Sequence, residues 1–287
     1  MLKWITLVAL GVTTLIYAGI WWRALLSRGE LRWPTGAQVA TGAVTNFFDT
    51  LGIGSFAPTT AIFQFTRMVP DALIPGTLNA GHTLPVILQA FLYLAVIEVE
   101  PLTLVSMIAG ATLGAWFGAG WVAGLPLRRV RIGVGCALLA AFVALLMRQL
   151  AWFPAGGAAL GLTGGKLAIA VAANAVIAAI STLGIGFYAP CMTLVSLLGM
   201  NPAAAFPIMM GSGAFLMPAA SSRFVLSGRY APQVALGLTL GGMVGVPVAA
   251  FIVKSLPLDA LRWLVMAVVL YAAQAMLRSA HQEPKRE

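Results

Sequence analysis

The sequence predicts an all-α integral membrane protein with seven crossing helices and two broken helical hairpins. Three observations support this fold class. The 287 residues are 60% hydrophobic and only 9% charged, with a mean hydropathy of +0.95. Apolar runs close to the length of about 20 residues that a membrane-spanning helix needs fill most of the chain. Two segments, 37–69 and 166–200, depart from this pattern, and each is interrupted by the same glycine-containing motif.

The uninterrupted apolar runs predict helices, because Ala, Leu and Gly dominate them and the residue alternation of barrel strands is missing. Short turns with charges or proline separate the runs, such as Glu98-Val99-Glu100-Pro101. The first run lacks a small-residue cleavage site, so we interpret it as an additional N-terminal helix and not as a signal peptide. The predicted crossings lie near 2–23, 76–97, 102–124, 131–149, 203–222, 232–253 and 260–278.

The interrupting motif, Thr-Leu-Gly-Ile-Gly-x-x-Ala-Pro, occurs at 50–58 and again at 182–190, 132 residues later. Aligned without gaps, residues 49–81 and 181–213 share twelve identities, and matched prolines are among them. Chance matches of Ala, Gly and Leu are expected in such a composition, but matched prolines are not, so the chain contains two repeats. The predicted organisation is an extra helix at 1–24, a first repeat at 37–150, a second repeat at 166–279 and a cytoplasmic tail at 280–287.

The basic residues favour an inverted arrangement of the two repeats. If each broken segment is a re-entrant hairpin, twelve Lys and Arg residues lie on one side of the membrane and five on the other. If each broken segment crosses once, the division is ten to seven. The larger asymmetry is what the positive-inside rule requires, so the hairpin arrangement is predicted, with the N-terminus outside and the C-terminus inside.

Composition also excludes several function classes. The net charge of +9 is scattered through short inter-helix loops, which is typical of a membrane protein and does not indicate a nucleic-acid-binding surface. Cys136 and Cys191 both lie in apolar runs, so no disulfide framework and no metal site is expected. Zinc motifs, paired catalytic residues and nucleotide loops are absent, so we expect neither a cofactor nor an enzyme, although Cys191 is a lone candidate nucleophile.

The broken segments predict an anion-binding site. Where a helix begins inside the membrane, its first backbone N–H groups lack partners and its dipole presents partial positive charge. Pro58 and Pro190 suit the first turn of a restarting helix, and the motif glycines let backbone amides approach a ligand. Two such tips that meet near the midplane are typical of transporters. Loop backbone is not tolerated against lipid, so these loops must line a protein-enclosed or water-filled cavity.

A centrally bound anion would depend on backbone amides and neutral donors, because no Lys or Arg falls in the middle of a predicted crossing. For each polar side chain, the alternative is helix–helix hydrogen bonding or capping. The candidate substrate-binding residues are Asn46, Thr50, Gly52, Ile53, Gly54, Ser55 and Thr59 in the first repeat, and Asn174, Thr182, Gly184, Ile185, Gly186 and Tyr188 in the second.

Two ionisable residues are candidates for ion coupling. Asp49 immediately precedes the first motif at predicted membrane depth, where a carboxylate is costly and is typical of a functional site. His82 lies in the following crossing and is expected to neighbour Asp49; its imidazole titrates near physiological pH. The alternatives are an Asp that caps a buried loop and a hydrogen-bonded packing histidine.

The sequence resembles the sulfite exporter TauE/SafE family, also called the 4-toluene sulfonate uptake permease family. The resemblance covers both halves and is carried by Leu51-Gly52-Ile53-Gly54, by Leu183-Gly184-Ile185-Gly186 and by the small-residue segment 110–131. It implies transport of small organic or inorganic anions across a bacterial inner membrane. The chain departs from the family's longer glycine run at Ser55-Phe56 and at Phe187-Tyr188.

These observations together predict a secondary-active transporter, of the exporter type, for sulfite, an organosulfonate or a carboxylate, working by alternating access. The alternatives are an anion channel of the same architecture, a permease for another small metabolite, and a structural subunit. The expected partners are the anion, protons and membrane lipid. A homo-oligomer is compatible with the sequence, and nucleic acid is not an expected partner.

Overall fold

The protein is a bundle of ten α-helices in the part that the computed structural model describes, and it contains five helices long and apolar enough to cross a membrane. The described residues are 2–52, 54–123, 125–152, 157–181, 187–201 and 204–252, together with scattered positions between 263 and 280. The helices are α1 (Leu2–Ser27), α2 (Gly36–Thr50), α3 (Phe56–Thr66), α4 (Ile74–Val96), α5 (Pro101–Ala123), α6 (Leu127–Gln149), α7 (Gly164–Ser181), α8 (Tyr188–Leu197), α9 (Ala205–Ser227) and α10 (Pro232–Ile252).

Six of the predicted crossings correspond to α1, α4, α5, α6, α9 and α10, and the seventh, near 260–278, lies mostly outside the described residues. The five helices that meet the length and hydropathy requirements for a span are α1, α4, α5, α7 and α10. Helix α9 is not among them, and 16 of its 23 residues are buried inside the bundle. It packs against α4 at the centre of the bundle, so little of its surface faces outward.

The first motif interrupts the helix as predicted. Helix α2 ends at Thr50, and α3 begins at Phe56 after a turn in which Gly52 and Gly54 have φ angles of 79° and 94°. These angles lie in the left-handed region, which glycine adopts without a steric penalty. Pro58 therefore stands in the first turn of α3, where its missing N–H is not needed.

The second interruption falls at the same place in its repeat. Helix α7 ends at Ser181 and α8 begins at Tyr188, which is 132 residues after the start of α3. Residues 182–186, which carry the second motif, lie outside the described residues. Helix α7 has 18 residues and begins at Gly164, just before the predicted broken segment 166–200.

The same close helix contact is built twice, once by each repeat. The glycine pairs Gly110/Gly114 and Gly241/Gly245 have the four-residue spacing that is typical of close helix contacts. A Cβ atom on any of these glycines would collide with backbone of a neighbouring helix. In α5, Gly110 faces Val171 and Gly114 faces Ala175 of α7; in α10, Gly241 faces Val39 and Gly245 faces Ala43 of α2. The α7 residues follow the α2 residues by 132 positions, so the first helix of each repeat (α2 or α7) packs against the fourth helix of the other repeat (α10 or α5).

Substitution of Gly241 by Val should therefore destabilise the bundle by about 1–3 kcal/mol, because the branched side chain has no space beside the backbone of Val39. Thermal unfolding in detergent measures the effect. Gly19→Val in α1 is the matched control, since a Cβ there meets nothing within 4 Å and should change stability by less than about 0.5 kcal/mol. Equal melting of the two variants would contradict the close packing.

Contacts between side chains and backbone of neighbouring helices define the relative directions of seven helices. Helices α2, α4 and α10 run the same way, whereas α1, α5, α7 and α9 run the opposite way. The repeat-equivalent helices α4 and α9 are thus antiparallel. The contacts that set these directions are Asn46–His82 and Thr50–Tyr93 for α2 and α4; Gln38–Gly237 and Ala43–Gly245 for α2 and α10; Gly76–Phe224 and Leu94–Gly211 for α4 and α9; Ile108–Gly211 and Trp116–Arg223 for α5 and α9; Gly110–Val171 and Gly118–Ala179 for α5 and α7; and Tyr17–Ala80 and Thr6–Leu94 for α1 and α4.

One end of the bundle carries a cluster of arginines. The Arg28 guanidinium donates to the backbone oxygens of Val225 and Leu226 at 2.9 and 2.7 Å, and Arg223 lies 4.1 Å from the centre of the Trp116 ring. The opposite end carries Glu98 and Glu100 at the turn between α4 and α5. The two ends therefore differ in charge, as the positive-inside rule expects for a membrane protein.

Glu100 caps the start of α5. Its carboxylate accepts the backbone N–H of Leu102 at 3.0 Å and of Thr103 at 2.6 Å. The Thr103 N–H, helped by the Leu102 N–H, holds the pKa of Glu100 below its usual range.

The capping contribution of Glu100 should depend on pH. Because its pKa is lower in the folded protein than in the unfolded chain, the stabilisation is fully present above the unfolded value of about 4.3 and is lost as the pH falls through the folded value. Glu100→Ala should consequently lower the melting temperature at neutral pH, and the difference from the wild type should disappear in acid. Glu98→Ala is the control, and a difference that persists in acid would contradict this assignment.

Candidate functional site

A buried cluster of polar side chains lies where the first broken segment meets α4. Its members come from both sides of the break and from the middle of α4, and all are at most 2% exposed. They are Asn46, Asp49 and Thr50 at the end of α2, Ser55 and Thr59 at the start of α3, and His82 and Gln89 on α4. Buried polar groups are costly unless they are hydrogen-bonded, so their partners show how the site is organised.

His82 joins the two halves of the broken segment. Its Nδ1 lies 3.1 Å from Asn46 Oδ1 on α2, and its Nε2 lies 3.0 Å from Thr59 Oγ1 on α3. The Asn46 amide nitrogen donates to the Gly42 carbonyl at 2.8 Å, so its oxygen can only accept. The imidazole therefore donates from Nδ1. The Phe56 ring lies 5.7 Å from the imidazole and covers it.

Asp49 interacts with a different set of residues. Gln89 Nε2 donates to Asp49 Oδ2 at 2.9 Å and lies 3.2 Å from Thr50 Oγ1. The hydroxyl and the backbone N–H of Ser55, the residue before α3, also interact with this carboxylate. Donors from α4 and from the start of α3 thus surround Asp49. His82 and Asp49 lie in the same buried cluster, as predicted. Each has its own hydrogen-bond partners, and no hydrogen bond joins the two among the described contacts.

The start of α3 is consequently next to a carboxyl group that belongs to the chain itself. The carboxylate of Asp49 interacts with the backbone N–H of Ser55, where the helix dipole is positive. In the second repeat, Ser181 stands at the position equivalent to Asp49, and its hydroxyl donates to the Ala178 carbonyl at 2.8 Å. The two tips are therefore chemically different, although their sequences are repeats.

Tyr188 connects the second broken segment to this cluster. Its hydroxyl donates to Gln89 Oε1 at 3.2 Å, and it also interacts with the Asp49 carboxylate. Phe187 and Tyr188 share one apolar cluster with Val86 of α4 and with Phe56. The aromatic residues of the two motifs thus belong to one apolar cluster, and Gln89 contacts both Asp49 at the end of α2 and Tyr188 at the start of α8.

Asn174 has another role. Its amide nitrogen donates to the Met107 carbonyl of α5 at 2.9 Å and lies 3.4 Å from Ser212 Oγ of α9. It thereby ties α7 to two neighbouring helices, which is the helix–helix alternative considered for it. Its Oδ1 is buried and has no partner among the described residues.

The other predicted site residues divide into two groups. Gly52 and Gly54 form the turn between α2 and α3. Ile53 and the second-repeat residues Thr182, Gly184, Ile185 and Gly186 lie outside the described residues. Cys191 is fully buried in the same apolar cluster as Tyr188, away from solvent.

Sequence reasoning missed Gln89 and Tyr93. The Tyr93 hydroxyl donates to the Thr50 carbonyl at 2.6 Å, and its ring stacks on Phe206 of α9 at 5.3 Å. Their spacing in the sequence could have identified both, because Gln89 and Tyr93 follow His82 by seven and eleven residues in an apolar run. This spacing places the three residues on one helix face and predicts a polar face on α4.

The described residues contain no group of three or more His, Cys, Asp or Glu side chains that could hold a metal ion. A cavity of about 250 Å³ lies at the acidic end, between α1 and the α4–α5 turn, and Thr6, Glu98 and Leu104 line part of it. It is separate from the polar cluster. Comparison of the chain with protein-family models, with curated proteins and with solved structures finds no match.

Proposed function

We propose that this protein is a secondary-active transporter that moves a small anion across a membrane by alternating access. One observation carries the proposal: the two broken segments, one from each repeat, meet in a single buried polar cluster through Asp49, Gln89 and Tyr188. Polar and ionisable groups inside a membrane bundle are costly and are typical of substrate and ion pathways. Broken helices at equivalent places in two repeats are typical of transporter binding sites.

The proposed topology has seven crossings and two re-entrant hairpins, with the repeats inverted. The antiparallel packing of α4 and α9, which are repeat equivalents, supports inversion. Helices α2 and α4 run the same way, so the chain has to return through α3 before α4 begins. Helices α7 and α9 are both parallel to α5, and the same argument applies to α8. The arginine-rich end is the cytoplasmic end in this topology.

The proposed substrate is a small anion held by backbone amides and neutral donors between the tips. The described cluster supplies hydroxyl and amide donors but no Lys or Arg side chain. Because an ionised Asp49 would repel a second anion at the first tip, anion binding there becomes more favourable once Asp49 binds a proton. We therefore include proton coupling through Asp49 in the proposal. Sulfite, an organosulfonate or a carboxylate fits this chemistry, and the motif resemblance to the TauE/SafE family points to sulfur oxyanions, to export and to a bacterial inner membrane.

Purified protein in proteoliposomes tests the proposal. Uptake of radiolabelled sulfite should saturate with concentration, should show counterflow against unlabelled sulfite and should increase with an inward proton gradient. Protein-free liposomes are the control, and taurine and acetate test the other two anion classes. Ohmic currents without saturation would indicate an anion channel. Absence of flux for all three classes would refute anion transport.

A further inference from the structure

We propose that Gln89 is a coupling residue that transmits the protonation state of Asp49 to Tyr188. The inference rests on the proposed function for its role in transport, but its geometric basis is independent of any substrate. Gln89 is fully buried in the middle of α4 and contacts both broken segments. Its amide nitrogen faces Asp49 and its amide oxygen accepts the Tyr188 hydroxyl.

The orientation of the Gln89 amide is set by its neighbours. An ionised Asp49 can only accept a hydrogen bond. The Thr50 hydroxyl donates to the Asn46 carbonyl at 2.8 Å, so its oxygen is left as an acceptor for the second N–H of Gln89. On the other side, Gln89 Oε1 is the acceptor for the Tyr188 proton. All donors and acceptors of this amide are matched while Oδ2 of Asp49 carries no proton.

A proton on Oδ2 of Asp49, the oxygen that faces Gln89, reverses this preference. The protonated oxygen donates, and the acceptor that Gln89 offers it is Oε1. Rotation of the amide by about 180° brings Oε1 to Asp49 and Nε2 to Tyr188, with the chemical bonds unchanged. The Tyr188 oxygen then accepts, and its own proton becomes free to donate to another group beside the second broken segment. A proton on the first repeat thereby supplies a hydrogen-bond donor to the second.

Few other ionisable groups face this pair. Tyr93 of α4 and Tyr188 of α8 are the titratable side chains whose charges interact with Asp49. His82 lies on the same face of α4 and is hydrogen-bonded to Asn46 and Thr59. Helices α2 and α3 contain no ionisable residue besides Asp49, and the described part of α10, packed along α2, contains none. Asp49 is thus the carboxylate to which the amide responds.

Infrared difference spectroscopy between acidic and neutral pH tests this relay without any transport measurement. The wild type should show a carboxyl band from Asp49 together with a shifted tyrosine C–O band. Asp49→Asn should remove the carboxyl band, and Tyr188→Phe but not Tyr93→Phe should remove the shifted tyrosine band, which assigns both signals. Gln89→Met has similar volume but no hydrogen-bonding groups, so it should keep the carboxyl band and lose the tyrosine shift.

Gln64→Met is the matched control, because Gln64 donates to Asp71 at 2.8 Å, outside this cluster. It should keep both bands. In proteoliposomes, Gln89→Met should lower proton-driven sulfite uptake by about tenfold. A tyrosine shift that survives in Gln89→Met would overturn the relay and would show that Tyr188 responds to Asp49 through their own contact. A relay that is present in a protein without sulfite flux would refute the proposed function and leave this inference intact.

Discussion

Asp49→Asn should lower proton-driven sulfite uptake by about 100-fold, the scale of loss expected when a positioned proton-transfer group is removed. Asn keeps the size of the side chain and an oxygen that can accept from Gln89, but it cannot bind the coupling proton. Sulfite counterflow, which needs no net proton movement, should remain close to that of the wild type. The measurement compares initial rates with and without an imposed pH gradient in the same proteoliposomes.

Asp71→Asn is the matched control for this prediction. Asp71 stands in the short 3₁₀ helix before α4, and its carboxylate accepts from Gln64. It lies at the arginine-rich end, away from the polar cluster, and its substitution should leave both assays unchanged. Unaltered proton-driven uptake in Asp49→Asn would remove Asp49 from the coupling mechanism.

His82→Leu should destabilise the protein by about 1–3 kcal/mol, because the buried Oδ1 of Asn46 loses its donor. The imidazole also holds α2 and α3 together across the break, so the hairpin should loosen and transport should fall with stability. Thermal or denaturant unfolding in detergent gives the stability change.

A double-mutant cycle identifies the contact responsible. Asn46→Leu combined with His82→Leu removes both partners and leaves no unsatisfied acceptor between them. The double variant should therefore be more stable than the sum of the single effects predicts, with a coupling energy of about 1 kcal/mol. Additive effects would show that His82 stabilises the protein through packing alone, for example against Phe56.

The interruption at the first motif was predictable because local chemistry decides it. Glycines with positive φ at positions 52 and 54 and a proline in the following turn end one helix and start the next whatever surrounds them. The small-residue contacts of α5 and α10 were predictable for a similar reason, since glycine spaced by four residues exposes backbone on one helix face. Patterns of this kind depend only on residues that are close together in the sequence.

The hydrogen-bond partners of the ionisable residues were harder to predict from the sequence. Asp49 and His82 were singled out because charged and titratable groups are rare in apolar runs. Their separate hydrogen bonds, to Gln89 and to Asn46 and Thr59, depend on the rotation of α4 against α2 and α3. Gln89 itself lies on the same helix face as His82, yet one glutamine in an apolar run is equally compatible with ordinary helix packing.

The sequence by itself determined an all-helical membrane protein with two repeats and a break in the first, because composition, helix length and glycine and proline chemistry act over short stretches. The tertiary structure alone decided that each repeat's first helix packs on the other repeat's fourth helix, and that Gln89 contacts both Asp49 and Tyr188. These contacts join residues 40 and 99 positions apart in the chain. They follow from how helices rotate and cross when the bundle closes, which no local pattern specifies.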